Sequence, residues 1–243
     1  MIYIIKIKNM VKENKRRKLF LNYPISILII LFFAESVSQV LTDDSINSYV
    51  IMKMPKGDNL MVFNGGNAIP DEIYINGISK DVVSQYDFNE DENNVTLIWR
   101  KNITSCIQMF KDCEYIIEMD FTHFDTSQVT NMLGMFQNCK RLKSLNLSNF
   151  DTSNVNNSMH NMFWNCYSLE YIDISNFNTS QIKGFGHMFC NCTSLLSIDL
   201  SNFDTSECTT FDYMFYGCKN LTSLNLSNFI LLHLKLYLIL LRL

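Results

Sequence analysis

The chain has 243 residues and a formal net charge of −4, with 20 Lys and Arg against 24 Asp and Glu. That balance argues against a general nucleic-acid binder, which carries a basic face. With 8 Gly and 3 Pro there is little material for a long linker, and eight Cys are too sparse for a disulfide mini-scaffold at this length.

The N-terminus is segmented like an export signal. A basic run, Lys12 to Lys18, precedes an apolar run, Ile25 to Ala34, and Ala34, Ser36 and Ser38 supply small residues near a cleavage point. Residues 1–38 therefore read as a signal peptide, with an uncleaved signal anchor as the alternative. The apolar stretch is shorter than the ~20 residues of a spanning helix. From 41 to 100 the chain changes character. YVIMKM, NLMVF, EIYING and VTLIW read as short strands, Asn76-Gly77 as a tight turn, FNGGNAIP as a turn and DFNEDENN as a polar loop. This segment is expected to form a small β-rich cap that packs Leu97, Ile98 and Trp99 against the repeats behind it.

Residues 101–229 are repetitive. The unit MF-x-x-C ends at Cys113, Cys139, Cys166, Cys192 and Cys218, which step by 26, 27, 26 and 26 residues. Each Cys is followed by a block such as RLKSLNLSNFDTS, with a degenerate first copy, YIIEMDFTHFDTS, from Tyr115. The L-x-L alternation predicts a short strand with Leu145 and Leu147 on one side and Asn146 on the other. Asp/Asn-Thr-Ser is turn chemistry. Val129, Met132 and Phe136 stand at i, i+3 and i+7, the spacing of one apolar face on a short helix. The expected fold is an α/β leucine-rich-repeat solenoid, about five coils of ~26 residues with a short strand and a short helix each, behind the β-rich N-terminal cap.

The repeat wording MF-x-x-C-x-x-L-x-x-L-x-L-S-N-F-D-T-S-x-V-x-x-M resembles the BspA-like leucine-rich-repeat family, including the related domain of unknown function from mycoplasma surface proteins. The resemblance covers about Thr104 to Phe229. It implies a secreted or cell-surface protein, with adhesion or host contact in some members and no shared enzymatic activity.

One position of the repeat is the natural ligand candidate. Asp120, Asn146, Asp173, Asp199 and Asn225 occupy the outward side of successive strands, with Glu118 and Tyr171 on the same face. Together they would line the solenoid's concave strand face, either as a binding surface or as a merely solvated one. With three acidic members of five, a calcium ladder is poorly supplied with charge. The five repeat cysteines lie one per coil, so they form a structural ladder of buried thiols rather than a convergent zinc site. Neighbouring rungs at ~5 Å are within disulfide reach. Cys106, Cys190 and Cys208 lie outside the ladder, and their pairing stays open.

No catalytic constellation is present: there is no G-x-S-x-G, phosphate-binding Gly loop or H-E-x-x-H, and His123, His160, His187 and His233 have no metal spacing. The sequence thus points to a non-enzymatic adhesion or recognition protein with no cofactor and no metal. Its partner would be a host or matrix protein or glycan, not nucleic acid. A membrane would be met only through a signal anchor or a missing C-terminal region. A structural spacer or coat protein is the alternative. N-x-S/T sequons at Asn94, Asn102, Asn146, Asn156, Asn178, Asn191, Asn220 and Asn225 add a glycoprotein reading. After Phe229 the repeat breaks off into ILLHLKLYLILLRL, residues 230–243. His233, Lys235 and Arg242 interrupt that aberrant apolar tail, which reads as a frameshifted or truncated gene end.

Overall fold

The structure, a computed structural model, describes residues 45–65 and 68–229. The signal reading of 1–38 and the tail 230–243 lie outside the described residues.

Four strands precede the repeats: β1 (Ser48–Met61), β2 (Glu72–Ile75), β3 (Ile78–Lys80) and β4 (Gln85–Trp99). β1 and β4 are longer than the sequence suggests. YVIMKM and NLM belong to one strand, whose register against β4 shifts at Pro55/Gly57 and again before Leu60. DFNEDENN is not a loop but part of β4. It can be acidic because Asp87, Glu90, Asp91 and Glu92 are solvent-exposed, while Phe88 turns into the core and Asn93 is buried with its Nδ2 donating to the Glu90 carbonyl. Asn76 and Gly77 both take positive φ, at 50° and 79°, which is the backbone a two-residue hairpin turn demands.

The repeats contribute one three-residue strand each: β5 (Glu118–Asp120), β6 (Ser144–Asn146), β7 (Tyr171–Asp173), β8 (Ser197–Asp199) and β9 (Ser223–Asn225). β6 pairs with β7 and β8 with β9, both parallel and with a residue step equal to one repeat. β5 instead pairs antiparallel with β1, giving a five-stranded sheet of order β3-β2-β4-β1-β5.

The expected helix in each coil does not exist. Among the described residues there is no α-helix, so an α/β leucine-rich-repeat solenoid is the wrong fold class. The reason lies in the backbone of the MF-x-x-C segment. Residues before Met (Gln108, Gly134, Asn161, His187, Tyr213) and before Cys (Asp112, Asn138, Asn165, Asn191, Gly217) all take left-handed φ between 53° and 77°. Two such residues per turn of chain are incompatible with a right-handed helix. The amides alternate accordingly. Phe136 N–H and Asn138 N–H donate to Met162 and Trp164 carbonyls of the next coil, at 2.9 and 2.7 Å. Met135, Gln137 and Cys139 donate three residues back within their own coil. Half the amides of the segment therefore tie neighbouring coils together, which an i→i−4 ladder would forbid. The apolar spacing that mimics a helix face is instead a run of consecutive turns aimed at the core.

That core is continuous from the sheet through the last described coil. Phe110, Phe136, Phe163, Phe189 and Phe215 stack with centroids 5.3–5.8 Å apart and planes within 12°. Thr126, Thr152, Thr179 and Thr205 are buried as well. The first two show how: the Thr126 and Thr152 hydroxyls each donate to, and accept from, the backbone of the residue that opens the next D/N-T-S turn, Asp151 or Asn178.

The N-terminal segment seats on the first coil by imitating one. Asp125 N–H donates to the Ser48 hydroxyl of β1 at 3.0 Å, as Asp151 N–H does to Thr126. Asn64 N–H donates to the Met109 carbonyl at 2.7 Å, as Phe110 N–H does to Met135. His123 stands where later repeats carry the Asn of SNF, and its ring stacks on Tyr49 of β1 at 4.5 Å. The degenerate first copy is thus fitted to a sheet rather than to another coil. Leu97, Ile98 and Trp99 are all buried, and the Trp99 ring meets Phe124 of the first repeat edge-on at 5.5 Å while its Nε1–H donates to the Ala68 carbonyl. Trp99→Ala is expected to lower the unfolding free energy by about 3 kcal/mol, the lower end for a buried aromatic because a single ring borders the gap. Urea unfolding checks this; an unchanged midpoint would show that the sheet does not stabilise the repeats.

Candidate binding face

The five strand positions singled out from sequence do share one side of the strands. Leu145, Ile172 and Ile198 point inward, while Asp120, Asn146, Asp199 and Asn225 are exposed and Asp173 is half-exposed. Each has a local task that the sequence reading missed. Oδ1 of Asp120, Asn146, Asp173, Asp199 and Asn225 accepts the N–H of the residue two positions on, at 2.8–3.1 Å. These Asx turns end the strands. The Ser201 hydroxyl and N–H hold the Asp199 carboxyl below the usual carboxylate range, with a smaller contribution from Asn225 on the neighbouring strand. The stripe is therefore a set of strand stops with one oxygen already committed.

The face extends onto the sheet. Lys53 of β1 bridges Glu118 at 2.9 Å and Glu92 at 3.2 Å, and the Glu118 hydrogen bond is the largest cause raising the lysine's pKa. All three are solvent-exposed to a large degree, so the pairs contribute little to stability. Glu118 is thereby spoken for. Tyr171, by contrast, is 56% exposed at the start of β7, and Leu196, just before β8, is 52% exposed. Leu196 escaped the sequence reading because the register Lys143, Glu170, Leu196, Thr222 becomes visible only when the coils are aligned. Along the flank of this face Asn149 and Asn202 Nδ2 donate to carbonyls of the preceding coil at 2.8 and 3.2 Å, and Asn176 and Asn228 do the same to Ser148 and Ser201. These bonds explain the Asn of every SNF and fix the strands rigidly.

The cysteines are free and buried, all eight of them, so Cys106, Cys190 and Cys208 form no disulfide. Sγ–H of Cys139, Cys166, Cys192 and Cys218 donates to the carbonyl of Phe110, Phe136, Phe163 and Phe189 in the preceding coil, at 3.1–3.2 Å. Each of those carbonyls also accepts the N–H of the Cys three residues on, so both lone pairs are used. Cys113 has no coil beneath it and reaches only the Lys111 carbonyl at 3.9 Å. Burial raises the thiol pKa throughout the ladder, to about 12 for Cys166 and Cys218. Among the described residues no group of three or more His, Cys, Asp or Glu is placed to hold a metal ion, and no helix is long and apolar enough to cross a membrane.

A thiol whose folded pKa lies above its unfolded value stabilises the fold fully below the unfolded pKa of about 8.5 and loses that contribution as pH rises through the folded value. Stability is therefore expected to fall from about pH 9 upward. None of the eight thiols is expected to react with a disulfide reagent in the native state at pH 8, and all eight are expected to react after unfolding. Rapid native labelling of any of Cys113, Cys139, Cys166, Cys192 or Cys218 would contradict the ladder.

Of the sequons, Asn191 is committed: its Nδ2 donates to Asn165 Oδ1 at 2.8 Å, and a glycan there would break that bond. Asn146 and Asn225 stay exposed on the strand face.

Residues 104–229 match the family described as mycoplasma protein of unknown function, DUF285, over just over half of the chain. No curated protein and no solved structure matches it. The matched range begins at the first coil and ends at Phe229, the last residue of the stack described above, and on that ground the chain belongs to the DUF285 family.

Proposed function

We propose that this protein is an exported, non-enzymatic recognition module that holds a macromolecular partner, a host or matrix protein or glycan, along its exposed strand face. The observation that carries the reading is the exposure of Tyr171 on β7, with Leu196 exposed just before β8 of the next coil, where Asx turns and inter-coil Asn bonds hold the strands. An exposed tyrosine beside an acidic side chain, Asp173, is the kind of anchor that dominates binding energy at protein interfaces. Rigidity limits the ordering cost of association. The resemblance of the repeats to BspA-like surface proteins supports a surface role, and the basic, apolar and small-residue segments of 12–38 support export.

The test is retention of the purified protein on an array of extracellular-matrix proteins and glycans. Wild type is expected to bind. Tyr171→Ala, and separately the double variant Asp173→Lys/Asp199→Lys, are expected to lose that binding while keeping the native circular dichroism. No retention on any array member by wild type would turn the reading over in favour of a spacer or coat element.

A further inference from the structure

The turn segments that carry MF-x-x-C form a second surface. Its character changes along the stack. In the first two coils the positions before Met and after Phe are Gln108, Gly134, Lys111 and Gln137. In the last three they include Trp164, His187, Tyr213 and Tyr216, and their rings touch in sequence. Trp164 lies 5.8 Å from His187, His187 stacks on Tyr213 at 5.1 Å, and Tyr213 meets Tyr216 edge-on at 5.8 Å. Tyr213 and Tyr216 are 44% and 45% exposed. The four partly exposed rings pack on one another but are not needed to fill the core, which the Met and Phe side chains of the same turns already occupy.

The row is held still. His187 and Tyr213 sit on left-handed backbone, where non-glycine side chains are uncommon. Asn161 N–H and His187 N–H bond the Gly186 and Asp212 carbonyls of the next coil at 3.1 and 2.8 Å. Beneath, the His160 ring lies against Gly184 and Gly186, where a Cβ would collide with it. Burial, with the nearby His160, lowers the His187 pKa, opposed by Asp212, so the ring joins the row as a neutral aromatic.

We propose that this aromatic row is a binding surface for a neutral glycan chain. A pyranose presents an apolar C–H face rimmed by hydroxyls. Tyr and Trp offer flat apolar area with a polar handle at the edge. Exposed Asp212 and the half-exposed Asn161 supply hydrogen-bonding groups beside the rings. No Lys or Arg occurs in 160–165, 186–191 or 212–217, so an acidic ligand finds no partner charge here. This surface is separate from the strand face and does not depend on the function proposed for it.

Trp164 gives a direct readout. The chain has two Trp, and Trp99 is buried, so a ligand-dependent change in tryptophan emission reports Trp164. The full chain is titrated with cellohexaose, laminarihexaose and hexa-N-acetylchitohexaose, with calorimetry alongside. Saturable binding of at least one is expected. Tyr213→Ala and Tyr216→Ala are each expected to weaken it roughly tenfold, with unchanged circular dichroism, while a charge reversal at the exposed Glu207, Glu207→Lys, leaves it unchanged. No saturation with any of the three sugars at millimolar concentration, undiminished affinity in both Tyr variants, or row-dependent capture of a matrix protein in place of sugar would each overturn the proposal.

Discussion

Phe163→Ala is expected to lower the unfolding free energy by about 5 kcal/mol, the upper end for a buried aromatic. Phe163 is fully buried at the middle of the stacked column, with Phe136 at 5.6 Å on one side and Phe189 at 5.3 Å on the other. The gap left by its ring is hard to close. Phe136 N–H is tied to Met162, and Phe163 N–H to Met188, at 2.9 Å each, and the Phe163 carbonyl also takes the Cys192 thiol. The cost of a large-to-small change rises with the volume that cannot collapse, and here the neighbours on both sides are pinned by backbone bonds between coils. Phe215→Ala provides the comparison. Among the described residues its ring has a column neighbour on one side, Phe189 at 5.6 Å. About 3 kcal/mol is expected there. Urea unfolding of both variants measures the difference. Equal losses would mean that the column is a coincidence of register rather than a source of stability.

The same column shows how far the sequence could be read. The 26-residue step, the inward Leu and Ile of each strand and the buried thiols are all written in one-dimensional spacing, because each depends on residues close together in the chain. The helix was misread for a physical reason. Val129, Met132 and Phe136 have helical spacing, and that signal reports which side chains face the core, not the backbone path that brings them there. The corrective signal was present in part. The position before Cys reads Asp, Asn, Asn, Asn, Gly, the residues that tolerate left-handed φ. The position before Met reads Gln, Gly, Asn, His, Tyr, which hides the same conformation. What forces Gln108 and His187 into it is hydrogen bonding of their N–H groups to the next coil, and no local pattern encodes that.

The candidate face divides in the same way. Asp120, Asn146, Asp173, Asp199 and Asn225 could be placed on one side of the strands by alternation alone. Their role as strand stops rests on the backbone N–H two residues later, a short-range Asx turn that alternation ignores. The aromatic row needed three coils in register before Trp164, His187 and Tyr213 became neighbours. Similarly, DFNEDENN became a strand because β1 lies beside it, not because its composition favours one.

Asn165→Val is expected to destabilise the protein by about 4 kcal/mol, from two separable causes. Asn165 has φ of 62°, and placing a β-branched residue in that region adds about 2 kcal/mol of strain. Its amide is also the middle of a ladder. Asn138 Nδ2 donates to Asp112 Oδ1 at 2.5 Å, Asn165 Nδ2 to Asn138 Oδ1 at 2.8 Å, and Asn191 Nδ2 to Asn165 Oδ1 at 2.8 Å. The ladder has a direction, with each amide giving to the coil before it. That is why an acceptor-only Asp can stand at the bottom and why Asn is needed in the middle, where each rung must both give and accept. Removing Asn165 orphans an acceptor on Asn138 and a donor on Asn191, for about 1 kcal/mol each. Asn165→Gly separates the causes. Glycine accepts the left-handed backbone without strain but breaks both rungs, so about half the loss is expected. Asn165→Asp keeps the rung to Asn191 and sets two oxygens against each other at Asn138, so it is expected to be destabilising above the carboxylate pKa and milder below about pH 4, where the protonated group can donate. Urea midpoints measured for the three variants at pH 7 and pH 4 decide the matter. If Gly matches Val, backbone strain contributes nothing; if Gly matches wild type, the ladder contributes nothing.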